Sequence, residues 1–130
     1  HANVPEGCVT CHKATPVGIL AGGHTFNLVY EEEENLVSGC NTEGCHTAVE
    51  DFTYEGVQEE VTAKLDTLKT LLVDAGLISD SDSPIAATIS GDQGKAIVNY
   101  LMMLEDRSKG IHNPEYVVNV LDASIAFMQD

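Results

Sequence analysis

The chain has 130 residues with 21 acidic side chains against 6 Lys and Arg, a formal net charge of −15, no Trp and only 5% aromatic residues. So large an acidic excess excludes nucleic acid and anionic membrane surfaces as partners, and it asks for a basic or neutral face on any protein that docks. The length predicts a single domain, 1–130, and the scarcity of aromatic residues predicts a thin core if side chains alone must fill it.

Residues 1–55 are rich in Gly, Thr, Cys and His and lack sustained periodicity, which predicts loops, with a short strand near Phe26 to Tyr30. The acidic run Glu31 to Glu34 reads as a solvated turn. This region contains Cys8-Val9-Thr10-Cys11-His12 and the longer Cys40-Asn41-Thr42-Glu43-Gly44-Cys45-His46, which together use every cysteine of the chain. In a Cys-x-x-Cys-His segment the two thiols form thioether bonds to the porphyrin vinyl groups, and the adjoining histidine reaches the iron. Paired cysteines also serve structural zinc or disulfides, but neither use needs a histidine directly after each pair. In the second segment Gly44 supplies the looser backbone that four intervening residues require. The sequence therefore predicts two covalent c-type hemes, attached through Cys8, Cys11, Cys40 and Cys45, with His12 and His46 as proximal iron ligands. Two porphyrins would also supply apolar volume that the side chains lack.

From Gly56 the pattern turns helical. Val57, Val61, Leu65, Leu68 and Leu72 recur every three or four residues and Gly76 is a C-terminal stop. Ser79 to Asp92 reads as a linker, with Asp92 capping a second helix whose apolar face is Ile97, Tyr100, Leu101 and Leu104 and which ends by Gly110. A third helix starts with Asn113 as cap and Pro114 at its first position, and carries Val117, Val120, Leu121, Ser124, Ile125 and Met128 on one face. The predicted fold is mainly α: a loop-rich heme-binding region, 1–55, packed against about three helices in 56–130, with two hemes in the core.

His1, His24 and His112 remain for the distal sides of two irons. His112 falls between a helix end and a helix start, a position well fixed for ligation. Met102, Met103 and Met128 lie on helical faces that need packing residues, and methionine most often fills core, so bis-histidine coordination is expected of both hemes.

The order of these features is a pattern in itself. The first motif, Gly-Gly-His24-Thr-Phe, the second motif, two long helices and then Ser108-Lys109-Gly110-Ile111-His112-Asn113-Pro114 opening a last helix resemble the C-terminal heme-binding half of the pentaheme cytochrome c nitrite reductases and their multiheme relatives. The resemblance implies that His112 closes the iron of His12. It also implies that His1, seven positions before Cys8, closes that of His46. The histidine between the motifs serves, in that family, a heme on an upstream part of the polypeptide, which leaves His24 without its family partner. The catalytic heme of that family belongs to the upstream half, so what is implied is the heme scaffold and an α-rich fold, not nitrite reduction.

An iron with two histidine ligands has no open position for substrate, so the expectation is an electron carrier and not an enzyme. The acidic surface and the propionates favour ferric iron and predict low potentials. Five histidines where a self-contained diheme carrier needs four point to self-association, a subunit of a filamentous or multi-subunit conduit in which a histidine closes a neighbour's iron. A soluble monomeric periplasmic shuttle that docks with redox partner proteins is the alternative, and a small reductase with one open heme site a second. No hydrophobic span of membrane length is read, so no membrane insertion is expected. Attachment of this kind takes place outside the cytoplasmic membrane, so the expected location is periplasmic or extracellular, with a start at His1 fitting a processed chain.

Overall fold

The computed structural model describes residues 1, 4–30, 34–53 and 55–129. The chain is mainly helical and divides into two compact units, His1–Tyr54 and Glu55–Asp130.

The second unit holds three long helices, α2 (Val57–Asp74), α3 (Gly91–Asp106) and α4 (Pro114–Gln129), with α4 against both α2 and α3. Val61, Leu68 and Leu72 place one face of α2 in the core, and Val57 and Leu65 flank it. Helix α2 stops where Gly76 was expected to stop it. Gly76, at φ 69°, donates its N–H to the Val73 carbonyl (2.9 Å), and Leu77 N–H reaches back to the Leu72 carbonyl (2.9 Å). This is a Schellman closure, and the residue after the glycine, Leu77, is buried as that motif favours.

The cap of α3 is Ser90, not Asp92. Ser90 Oγ accepts from Gln93 N–H (3.1 Å) while Gln93 Oε1 accepts from Ser90 N–H (2.9 Å), a reciprocal box that satisfies two donors where Asp92 could satisfy one. Asp92 instead sits in the first turn and pairs with Lys95 at 2.7 Å. The buried face also differs from expectation. Ala96, Tyr100 and Met103 are in the core, Ile97 and Leu101 flank it, and Leu104 is exposed. Residues 96–98 and 100–104 are all apolar, so periodicity alone does not choose a stripe. Helix α3 ends at Asp106, before the expected limit of Gly110, with Arg107 left-handed at φ 57°.

Helix α4 opens at Pro114 with Asn113 Oδ1 accepting from Tyr116 N–H at 3.3 Å. Its inner face is Val117, Leu121 and Ser124, with Val120, Ile125 and Met128 beside them. The buried Ser124 hydroxyl donates to the Val120 carbonyl (2.7 Å) and accepts from Asn99 Nδ2 (2.9 Å), so its polarity is met inside the bundle. The segment expected as a plain linker, Ser79 to Asp92, is stapled down: Tyr100 OH donates to Asp82 Oδ1 (2.6 Å), Lys69 Nζ lies 2.9 Å from the same oxygen, and Ile78 just before it is buried. Those two hydrogen bonds outweigh desolvation and hold the Asp82 carboxyl below its ordinary range.

The first unit carries a short helix that periodicity did not predict, α1 (Cys8–His12), 3-10 turns at Gly23–Thr25 and Val37–Gly39, and an antiparallel pair, β1 (Val29–Tyr30) and β2 (Glu34–Asn35). The expected strand near Phe26 to Tyr30 is thus two residues long. Of the expected acidic turn, residues 31–33 lie outside the described residues. Among the described residues of this unit, the only buried apolar side chains are Ala14 and Ala21, while Ile19, Leu20, Phe26 and Val29 are exposed. Two alanines bury little area, so this unit has almost no hydrophobic stabilisation from its own side chains.

Candidate functional site

The first motif occupies α1. Cys8 and Cys11, three apart on one helical turn, share a face, and His12 follows at the next position. Turns lead into the helix from the start of the chain: Val4 N–H donates to the His1 carbonyl (3.2 Å) and Gly7 N–H to the Val4 carbonyl (3.1 Å). The Thr10 hydroxyl donates to the Pro5 carbonyl.

The His12 ring is fixed by Phe26. Its Nδ1 lies 2.8 Å from the Phe26 carbonyl oxygen, and the two rings stack at 5.4 Å with 17° between planes. A carbonyl only accepts, so Nδ1 must carry the proton and the lone pair must be on Nε2. Phe26 holds a left-handed backbone, φ 58°, which costs an L-residue of order 1 kcal/mol. That strain is located where it orients a carbonyl on a candidate ligand.

The four-residue spacer of the second motif is folded back on itself. Thr42 N–H donates to the Cys40 carbonyl (3.0 Å), Cys45 N–H to the Thr42 carbonyl (3.0 Å) and His46 N–H to the Cys40 carbonyl (3.2 Å). Gly44 makes the turn at φ 83°. Asn41, within the loop, ties it to the chain beyond, its Nδ2 donating to the Val49 carbonyl (2.7 Å) and its Oδ1 accepting from Val49 N–H (2.9 Å). The longer spacing is thereby compacted into a closed loop.

The two motifs meet at Gly39. A Cβ there would lie 2.5 Å from the Cys11 carbonyl oxygen, 2.8 Å from that of Thr10 and 3.0 Å from Cys11 Cα, all backbone atoms that cannot swing aside. Gly39→Ala should therefore push the motifs apart, costing about 1–3 kcal/mol, and absorbance per polypeptide should read fewer chains carrying two hemes. The Cys40 thiol is pushed up by burial and by the neighbouring Cys11 and Cys45 thiols, which keeps it protonated.

His1 and His46 come together. Their ring centres are 6.3 Å apart with 68° between planes. A metal-bound imidazole nitrogen is about 2 Å from its metal and the ring centre about 1.1 Å farther, so two imidazoles on opposite faces of one iron have centres about 6 Å apart. The observed spacing fits that span. His24 lies elsewhere, exposed on the 3-10 turn Gly23–Thr25.

His112, in the second unit, occupies the turn between α3 and α4. Its Nδ1 is 2.7 Å from Asp106 Oδ1, and its N–H donates to Ser108 Oγ at 3.4 Å. Burial pushes the Asp106 carboxyl up, but hydrogen bonds from Ser108 and His112 outweigh it and hold the group below the usual carboxylate range. Among the described residues no three Cys, His, Asp or Glu side chains converge as a metal site of protein ligands alone. A bis-histidine heme needs no such cluster, because the protein gives its iron two ligands.

Compared with known proteins, the chain matches no family model, no curated protein and no solved structure. Its chemistry is therefore read from its own residues. Donor chemistry, the His12 tautomer, the His1 and His46 spacing, and exposed apolar side chains around a nearly coreless unit all fit covalently attached hemes. Reading the sequence left out three groups that hold these candidates: Asn41, the Phe26 carbonyl and Asp106. Asn41 stands inside the second motif and was visible as a polar residue capable of bridging backbone groups. The other two act through chain reversals that leave no periodic trace. Among the described residues, no helix is long and apolar enough to cross a membrane.

Proposed function

We propose that the protein is a diheme c-type electron-transfer protein of the periplasm or the cell exterior, working as a subunit of a heme conduit. The observation that carries the reading is the 6.3 Å spacing of the His1 and His46 rings, which matches two ligands sharing one iron. Cys8 and Cys11 hold one heme and Cys40 and Cys45 the other. His12 and His46 are the proximal ligands, His1 is distal to His46, and His112 is the remaining distal ligand. When bound, the hemes supply reversible one-electron exchange at iron.

The chain's own residues set how that exchange runs. Phe26 fixes the ring orientation of His12, and backbone hydrogen bonds close the Cys40 to His46 loop. Histidine on both sides leaves each iron without a substrate position. A net charge of −15 favours the ferric state and keeps the midpoint potentials low.

With His112 and His1 closing both irons of each chain, exposed His24 lies outside the ligand set and is available for contact with a neighbouring copy. His24→Ala is expected to abolish filaments seen by electron microscopy while heme content per chain stays unchanged. A wild-type protein that stays monomeric at every concentration favours the soluble shuttle instead.

A further inference from the structure

We infer that Asp106 is a positioning residue that fixes the tautomer of His112 and raises the electron-donating power of that ligand toward iron. The inference rests on the proposed role of His112 as a distal heme ligand. Its basis is the 2.7 Å contact between His112 Nδ1 and Asp106 Oδ1, on the last residue of α3 and six positions upstream of the histidine.

The carboxylate is itself held in place. The Ser108 hydroxyl donates to Asp106 Oδ2, and Ser108 N–H donates to the Asp106 carbonyl at 2.7 Å. The turn continues through Ile111 N–H to the Ser108 carbonyl (3.2 Å) and Asn113 N–H to the Gly110 carbonyl (3.1 Å), which brings His112 back over the end of α3. An ionised carboxylate only accepts, so Nδ1 carries the proton and the lone pair is placed on Nε2, the nitrogen that would meet the iron. A carboxylate behind the ring gives the imidazole partial imidazolate character and makes it a stronger donor.

His12 has the corresponding contact, but to a neutral carbonyl, that of Phe26 at 2.8 Å. His112 thus meets a charge where His12 meets a neutral carbonyl, which makes His112 the stronger donor, and the ferric state of the heme it closes gains from it. His112 closes one iron, so the effect of Asp106 belongs to one heme.

Redox titration of the heme-loaded full chain tests the inference. Asp106→Asn removes the charge and keeps the size, and is expected to raise one midpoint while leaving the other unchanged, with both hemes attached and low spin. Asp106→Glu is expected to keep both midpoints at wild-type values. Unchanged midpoints in Asp106→Asn would overturn the inference.

A wild-type measurement guards against a variant that fails to fold. In the reduced, diamagnetic protein the His112 Nδ1 proton should resonate far downfield and exchange slowly with water. Rapid exchange would count against the Asp106 contact. Failure of the underlying reading has its own signature: His112→Ala would leave both irons closed to carbon monoxide.

Discussion

Replacing His1 by Ala should open one iron per chain to carbon monoxide, whereas His24→Ala should leave both irons closed. The ring of His1 stands 6.3 Å from that of His46, the separation that two imidazoles on one iron require, while His24 is exposed on a different turn. On the proposed assignment, removing His1 would take away a ligand with nothing of equal basicity in its place, and the ferrous heme so opened would bind the gas. Difference spectra of the reduced protein measure the effect: no carbon monoxide complex in wild type, one equivalent in His1→Ala. Should His24→Ala open the iron and His1→Ala not, the assignments of the two histidines exchange, and His1 becomes the histidine outside the ligand set.

Leu121→Ala should strongly destabilise the helical unit. Leu121 is 0% exposed, on the face of α4 that meets the other two helices. Truncating a buried leucine costs about 2–5 kcal/mol, through lost transfer energy and the cavity left behind. A domain of this size has roughly 5–10 kcal/mol in total, so a large share of its stability would go. Thermal unfolding by circular dichroism should show the helical transition fall by roughly 10–40 °C, at about 4–8 °C for each kcal/mol. Leu104→Ala, at a position 37% exposed on α3, is the control and should shift the transition far less.

The helices were legible where local chemistry determines them. The spacing of Val61, Leu68 and Leu72, the stop at Gly76 and the Asn113-Pro114 start each act within a few residues of the chain, and each appears in the structure as read. The start of α3 was legible too, in Ser90-x-x-Gln93, but a strong cap residue two positions later drew the boundary to Asp92. Its buried face was not legible, because Ile97, Val98, Leu101, Met102 and Leu104 offer several equivalent stripes and packing against α4 decides among them. Helix α1 is one turn long, too short to show a period.

The candidate site divides in the same way. Each cysteine pair and its adjoining histidine lie within a few residues of one another, so they can be read directly. The remaining histidines can be counted, but composition and spacing alone do not match them to a partner; only the resemblance pairs His1 with His46, and the approach of the two rings is a property of the folded chain. Supporting groups such as the Phe26 carbonyl and Asp106 depend on a left-handed residue and a helix-ending turn, and they emerge only from the folded backbone.

The central claim is that all four cysteines hold heme, two to each porphyrin. Mass spectrometry of the intact, denatured protein tests it most directly, because thioether-linked heme survives unfolding. The account predicts the mass of the polypeptide plus two hemes, with no thiol left to alkylate. A mass corresponding to a single heme, with Cys40 and Cys45 alkylated, would contradict it.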